Sequence, residues 1–121
     1  MAGPFDEWDR TIPGTTPLHD LQRFVRTAGF EQVRGPGAPR DHHLFRDRMV
    51  IGRTEGDIRI PSAELSRSHL LVERRGMEWI CTDLDSSNGV YLHGVRIHSA
   101  VLREGDVLQL GDVILVFHAG G

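Results

Sequence analysis

The chain contains no lysine, and all 14 of its basic side chains are arginines. This absence excludes chemistry that needs a lysine amine, such as Schiff-base catalysis, serine–lysine dyads and the phosphate-binding lysine of Walker-type loops. Bidentate recognition of oxyanions stays open, because the planar guanidinium of arginine suits it.

Cysteine is almost absent as well. The single cysteine, Cys81, lies in the apolar run Trp79-Ile80-Cys81, so it has no intrachain partner for a disulfide, and we expect a small buried side chain in a reducing cytosol. The N-terminus lacks a basic segment followed by an apolar one, and the longest apolar run, Val113 to Phe117, is too short to cross a bilayer. We therefore expect a cytoplasmic location and no membrane partner.

Size and charge narrow the class of protein. A chain of 121 residues fits one domain with a short extension, and it can bury a core without disulfides or metals. The formal net charge of −3 gives no overall basic footprint for nucleic acid. A partner must therefore be inferred from local motifs.

The N-terminal part divides into two segments. Residues 1–15 are polar and contain Pro4, Pro13 and Gly14, which predicts a flexible lead. A short amphipathic helix is predicted over 16–29, with an N-cap and first-turn pair, apolar residues at helical spacing and a closing glycine. These positions are Thr16, Pro17, Leu18, Leu21, Phe24, Val25 and Gly29.

Residues 30–121 carry a different pattern, short apolar runs separated by Gly, Asp and Arg turns, which is typical of an antiparallel β-sandwich. A hairpin loop is predicted at Gly111-Asp112, and the consecutive apolar residues of the last run favour a strand buried on both faces. The predicted strands are Phe30–Val33, His43–Phe45, Arg48–Ile51, Ile58–Ile60, His69–Arg74, Glu78–Thr82, Val90–Leu92, Val95–Ile97, Asp106–Leu110 and Val113–His118.

Three polar motifs lie between these runs: Gly52-Arg53, Ser66-Arg67-Ser68-His69 and Ser86-Ser87-Asn88-Gly89. Arginine offers a rigid fork of donors to a phosphate, hydroxyl groups add short hydrogen bonds, and an Asn-Gly turn can direct an amide outward. The motifs therefore predict a phosphate-binding surface built from loops.

In order and spacing, the three motifs resemble those of the forkhead-associated (FHA) domain. The resemblance implies an all-β antiparallel sandwich that binds phosphothreonine peptides. It also implies an adaptor in Ser/Thr kinase signalling, acting downstream of such a kinase, with no catalytic activity, metal or cofactor.

The resemblance assigns binding roles to five residues. Arg53 matches the arginine that holds the phosphate, Ser66 matches the serine that bonds a phosphate oxygen, and Arg67 takes a position where some members add a phosphate contact. Ser87 matches a hydroxyl that supports the phosphothreonine site. Asn88, the only asparagine in the chain, matches the amide that bonds the peptide backbone.

The resemblance also implies structural support for the binding loops from Gly52, His69 and Gly89. His69 is expected to bond nearby backbone, and Gly89 to permit a tight turn. One departure concerns Leu92-His93-Gly94, where many members have Val-Asn-Gly, so a second asparagine contact is lost or replaced by His93.

Catalytic and metal-binding alternatives fit the sequence poorly. Ser66 and His69 lack a Gly-x-Ser-x-Gly context, and an offset of three in extended chain points two side chains to opposite faces. The segment from Asp83 resembles the start of an EF-hand loop, but its sixth position is Asn88 and its twelfth is Gly94, where that loop needs Gly and Glu.

Two hypotheses about partners remain open. The sandwich could be a phosphate-independent interaction or dimerisation module. Alternatively, Thr11, Thr15 or Thr16 in the N-terminal segment, once phosphorylated, could occupy the site of the same chain or of a second copy, favoured by the effective concentration that a tether provides.

Overall fold

The computed structural model describes residues 27–120, which form two packed β-sheets. The strands in this part of the chain are β1 (Gly29–Arg34), β2 (Arg40–His43), β3 (Arg48–Gly52), β4 (Ile58–Arg59), β5 (Leu70–Arg75), β6 (Glu78–Asp83), β7 (Val90–Leu92), β8 (Val95–Ile97), β9 (Ser99–Leu102), β10 (Val107–Leu110) and β11 (Val113–His118).

The six-stranded sheet has the order β2-β1-β11-β10-β7-β8, and the five-stranded sheet has the order β4-β3-β5-β6-β9. Neighbouring strands pair antiparallel, except that β3 and β4 run parallel. The predicted all-β antiparallel sandwich is therefore confirmed. Since β3 ends, β5 begins, β6 ends and β7 begins at the same end of the sandwich, the loops that follow or precede these strands meet there.

The core lies between the two sheets. Phe30 on β1 and Phe117 on β11 are fully buried, and their ring centroids are 5.5 Å apart. Cys81 on β6 is buried in the same core. Burial raises the pKa of its thiol to about 11, so the thiol is protonated at neutral pH and unreactive as a nucleophile.

The strand predictions fail at two edges of the sheets. The predicted strand His43–Phe45 is wrong, because β2 occupies Arg40–His43 and Phe45 lies in a loop with its side chain 63% exposed. Strand β9 (Ser99–Leu102) was not predicted at all. Edge strands need to bury little of their surface, so polar or short segments form them without a clear apolar pattern.

The last strand differs from its prediction in burial. Strand β11 lies between β1 and β10, but its residues alternate between buried and half-buried. Ile114 and Val116 are only half-buried, because they lie on the outer face of the six-stranded sheet. The strand is thus interior to its sheet but fully buried on one face only.

The predicted helix over 16–29 does not extend to its predicted end. Gly29 is the first residue of β1, and the Ala28 carbonyl accepts a hydrogen bond from the Leu44 amide, 2.9 Å away. The predicted lead over 1–15 and residues 16–26 of the predicted helix lie outside the described residues. Gly29, which the pattern predicts as the end of the helix, is a strand residue.

Truncating Phe117 to alanine tests the core. We expect Phe117→Ala to lower the free energy of unfolding by about 3–5 kcal/mol, because it removes a buried ring and leaves a cavity beside Phe30. Urea unfolding followed by tryptophan fluorescence measures the change. Met77→Ala is the control, since Met77 is 98% exposed, and it should change stability by less than about 0.5 kcal/mol. Equal effects of the two changes would contradict this account of the core.

Candidate functional site

Three loops form one end of the sandwich, which we call the loop face: residues 53–57 after β3, 60–69 before β5, and 84–89 before β7. Hydrogen bonds join them directly. The Arg53 amide donates to the Ser66 carbonyl (2.9 Å), the Ser87 amide donates to the Ser66 hydroxyl oxygen (2.9 Å), and Asn88 Nδ2 donates to the Glu64 carbonyl (2.8 Å). The structure thus brings the three sequence motifs together.

Gly52 permits a close approach between two of these loops. A Cβ atom built on Gly52 would lie 1.9 Å from the Arg67 carbonyl oxygen and 2.6 Å from the Glu55 carbonyl oxygen. Since real Cβ atoms do not approach backbone this closely, any other residue here would push the loops apart. Glycine is needed here because there is no room for a Cβ atom, and not because the backbone adopts a conformation that only glycine favours.

His69 joins two of the loops from within the protein, where its ring is fully buried. The Ser66 amide donates to Nδ1 (3.0 Å), so Nδ1 must carry a lone pair, and Nε2 lies 2.9 Å from the Gly89 carbonyl oxygen, to which it donates. The backbone of His69 also bonds Ile51 and Leu84. These contacts define a neutral ring with its proton on Nε2.

The polar side chains of the loop face retain bonding capacity after the loops are joined. The Ser66 hydroxyl oxygen accepts one bond from Ser87, so its hydrogen is available for donation. Asn88 is exposed and uses Nδ2 to hold the Glu64 carbonyl, which leaves Oδ1 able to accept from a ligand amide. The Ser87 hydroxyl is exposed at the same place.

Two guanidinium groups complete the site. Arg53 is half-buried and Arg67 is exposed, and neither side chain has a hydrogen-bond or ion-pair partner among residues 27–120. Away from the loop face, Arg48 and Arg74 pair with the carboxylates of Glu73 and Asp47. Within the described part of the chain, the loop face therefore carries two arginines without ion-pair partners and hydroxyl groups with free donors, a composition complementary to an anion.

Sequence reasoning overlooked a supporting residue in the third motif. Ser86 is buried, its amide donates to Asp83 Oδ1 (3.1 Å), and its hydroxyl oxygen accepts the Gly89 amide (3.0 Å). The spacing Asp-x-x-Ser is a local signal, because short polar side chains bond backbone amides within a turn. Ser86 thus shapes the turn that presents Ser87 and Asn88.

His93 does not join the loop face. It lies in the turn between β7 and β8, with a positive φ of 50°, and its Nε2 is 2.9 Å from Asp106 Oδ1. Its side chain is thereby engaged with the turn that precedes β10. Many members of the family have an asparagine at the position of His93. The geometry favours loss of the contact that this asparagine would make over its replacement by His93.

Metal ligands do not cluster in the described part of the chain, where no group of three or more His, Cys, Asp or Glu side chains is placed to hold an ion. Residues 27–120 also contain no helix long and apolar enough to cross a membrane.

Comparison with known proteins agrees with this geometry. The family model for the FHA domain matches residues 49–111, slightly more than half of the chain. The chain therefore belongs to the FHA domain family. The match spans all three loops of the loop face.

Two bacterial regulators are among the similar proteins. The oxoglutarate dehydrogenase inhibitor of Corynebacterium jeikeium is 34% identical over 88 residues, which cover 72% of this chain and 61% of that protein. The glycogen accumulation regulator GarA of Mycolicibacterium smegmatis is 35% identical over 88 residues, covering 72% of this chain and 56% of that protein. The chain thus spans less than two thirds of the length of these relatives.

A solved FHA domain, studied for its phosphothreonine-dependent interactions, superposes with a TM-score of 0.69 at 26% identity, covering 76% of this chain and 95% of that one. The shared fold therefore includes nearly the whole of that domain.

Removing the His69 ring tests how the loops are held. We expect His69→Ala to lower the free energy of unfolding by about 2–5 kcal/mol, because a buried ring is lost and the Ser66 amide and Gly89 carbonyl lose their partners. Thermal unfolding measures this, with His98→Ala as a control because His98 is exposed.

The tautomer of His69 gives an independent readout in the native protein. Long-range ¹H–¹⁵N spectra should show its ring proton on Nε2 and a lone pair on Nδ1. A proton on Nδ1 would contradict the hydrogen bonds described above.

Proposed function

We propose that the loop face binds phosphothreonine in a peptide or protein segment, and that the chain acts as an adaptor in Ser/Thr kinase signalling. The observation that carries the proposal is half-buried Arg53, whose backbone amide bonds the Ser66 carbonyl and whose guanidinium has no hydrogen-bond or ion-pair partner among residues 27–120. The relation to FHA domains with phosphothreonine-dependent interactions supports the same reading. The upstream enzyme in this proposal is a Ser/Thr kinase. We assign the function to the cytoplasm, because Ser/Thr kinases obtain their ATP in that compartment.

Five residues of the loop face each have a distinct role in this proposal. Arg53 binds the phosphate through two parallel N–H donors, Ser66 donates its hydroxyl hydrogen to a phosphate oxygen, and Arg67 adds a second, more exposed charge. Ser87 supports the phosphothreonine from the third loop. Asn88 Oδ1 accepts a backbone amide of the bound segment.

The bonding of His69 supports an adaptor rather than an enzyme. Its Nδ1 accepts the Ser66 backbone amide and its Nε2 donates to the Gly89 carbonyl, so neither nitrogen is available to take the proton of the Ser66 hydroxyl. A serine without a base is a poor nucleophile. The regulatory and inhibitory relatives are consistent with a function through binding.

Replacement of Arg53 tests the proposed function. We expect the native chain to bind a phosphothreonine peptide library, and Arg53→Ala to weaken that binding by about a hundredfold or more, since two charge-assisted bonds at about 1.5–3 kcal/mol each are lost. Fluorescence anisotropy measures the affinity, with phosphoserine and unphosphorylated libraries in parallel. Arg103→Ala is the matched control, because Arg103 is an exposed arginine before β10.

Two outcomes would count against this function. Binding that does not depend on phosphate, from folded native protein, would favour the phosphate-independent module. Full phosphothreonine binding by Arg53→Ala would show that the phosphate sits elsewhere.

We also propose, as a separate point, that a phosphorylated Thr11, Thr15 or Thr16 can occupy the loop face. These residues lie outside the described part of the chain, which begins at the opposite end of the sandwich from the loop face. The eleven residues from Thr16 to Thr27 span up to about 36–40 Å when extended, more than the roughly 20 Å of the six-residue strand β11 that runs between the two ends of the sandwich. A second copy could receive the segment instead.

Phosphorylation of the N-terminal segment should then weaken binding of an external phosphopeptide. The comparison is between the chain phosphorylated at these threonines and a chain without residues 1–15, by anisotropy at several protein concentrations. A competition independent of protein concentration indicates capture within one chain, whereas a concentration-dependent one indicates capture by a second copy. Equal affinity of both forms would refute self-binding.

A further inference from the structure

A groove of about 440 Å³ extends from Asn88 along the outer face of the six-stranded sheet. Its floor is formed by Tyr91 on β7 and Gln109 on β10, which are cross-strand partners. Glu64 and Asn88 lie at the loop face, and Gly94 and Gly111 lie in the adjoining turns. The groove therefore continues directly from the site where the phosphorylated segment is proposed to bind.

Glu64 is the one lining residue with a formal charge. Its carbonyl accepts the Asn88 amide, and its own amide donates to the Ser62 hydroxyl oxygen (3.1 Å). Ser62 is buried and donates in turn to Asp112. The backbone that carries the Glu64 side chain is thus held both to the binding loop and to the turn between β10 and β11.

The Glu64 side chain lies against Gly111. A Cβ atom built on Gly111 would lie 2.6 Å from Glu64 Cβ and 3.2 Å from Glu64 Oε1, so the absence of a side chain at Gly111 makes room for this carboxylate. No Arg or His side chain among residues 27–120 forms an ion pair with Glu64. By contrast, Glu73 pairs with Arg48 and Asp57 with Arg46.

We propose that this groove receives a basic side chain, arginine or lysine, from a residue that flanks the phosphothreonine, and that Glu64 determines this preference. The inference rests on the proposed phosphothreonine binding and extends it to the sequence of the bound segment. An unpaired carboxylate in a groove attracts a cation. The aromatic ring of Tyr91 can contact the aliphatic stem of the incoming arginine or lysine, and the amide of Gln109 can accept from its N–H donors.

The same charge disfavours acidic neighbours of the phosphothreonine. An acidic side chain placed in the groove would meet the Glu64 carboxylate without a compensating cation among the lining residues. Arg96, the cross-strand partner of Tyr91, packs its guanidinium beside Gly89 and is not part of the groove lining. Discrimination thus comes from repulsion as well as attraction.

A peptide panel and a charge change in Glu64 test the proposal. The panel takes one phosphothreonine peptide and places Arg, Ala or Glu at each of the four positions on either side. We expect the native chain to prefer Arg over Ala by about threefold to tenfold at one position, as for a partly shielded ion pair. Glu64→Gln should remove this preference and Glu64→Arg should reverse it towards Glu.

Glu64→Gln keeps the backbone carbonyl that holds Asn88, so phosphothreonine binding itself should persist. Glu78→Gln is the matched control, because it removes the same charge from an exposed residue at the start of β6, away from the loop face. It should leave the preference of the native chain unchanged.

The outcomes separate the two proposals. Phosphothreonine binding that needs Arg53 but shows no basic preference, or a preference that survives Glu64→Gln, overturns the assignment of Glu64 and leaves the proposed function intact. Absence of phosphothreonine binding by folded native protein overturns both.

Discussion

The His69 ring is the contact on which the loop face depends. It is buried, and each of its two nitrogens bonds the backbone of a different loop, Ser66 on one side and Gly89 on the other. A buried backbone group without a partner costs roughly 1–3 kcal/mol, so movement of either loop away from the ring is penalised. The residues proposed to bind phosphothreonine are therefore positioned before a ligand arrives, which would lower the entropic cost of binding.

In Ser66 and Asn88, some polar atoms hold the loops together, and other atoms of the same residues stay available for the proposed ligand. Ser66 uses its amide, carbonyl and a lone pair of its hydroxyl oxygen within the protein, while the hydroxyl hydrogen stays available. Asn88 uses Nδ2 for Glu64 and keeps Oδ1. The guanidinium groups of Arg53 and Arg67 have no hydrogen-bond or ion-pair partner among the described residues, so their donors stay available for the proposed ligand.

Sequence patterns predicted the interior of this fold better than its margins. Strands such as Arg48–Gly52 and Val107–Leu110 carry apolar residues that must face the core, so their pattern is strong, whereas β2 and β9 lie at sheet edges and carry weak patterns. Clusters of Gly, Arg, Ser and Asn between the apolar runs identified the loop motifs, and resemblance to a family assigned roles to their residues. The contact of Glu64 with Asn88 and Gly111 was beyond prediction, because it depends on how distant turns meet in space.

Local charge, not net charge, governs what this surface attracts. The chain carries a formal charge of −3, yet at physiological ionic strength charges act over a screening length of about 8 Å. Acidic residues at the far end of the sandwich, such as Glu78 and Glu104, are thus largely screened from a ligand at the loop face. In the proposed binding mode, Arg53 and Arg67 supply positive charge to the phosphate, and Glu64 supplies negative charge in the groove beyond Asn88. Positive charge on the loop face and negative charge in the adjoining groove favour a ligand with the complementary pattern, an anionic phosphate and a neighbouring cationic side chain, over a uniformly acidic segment.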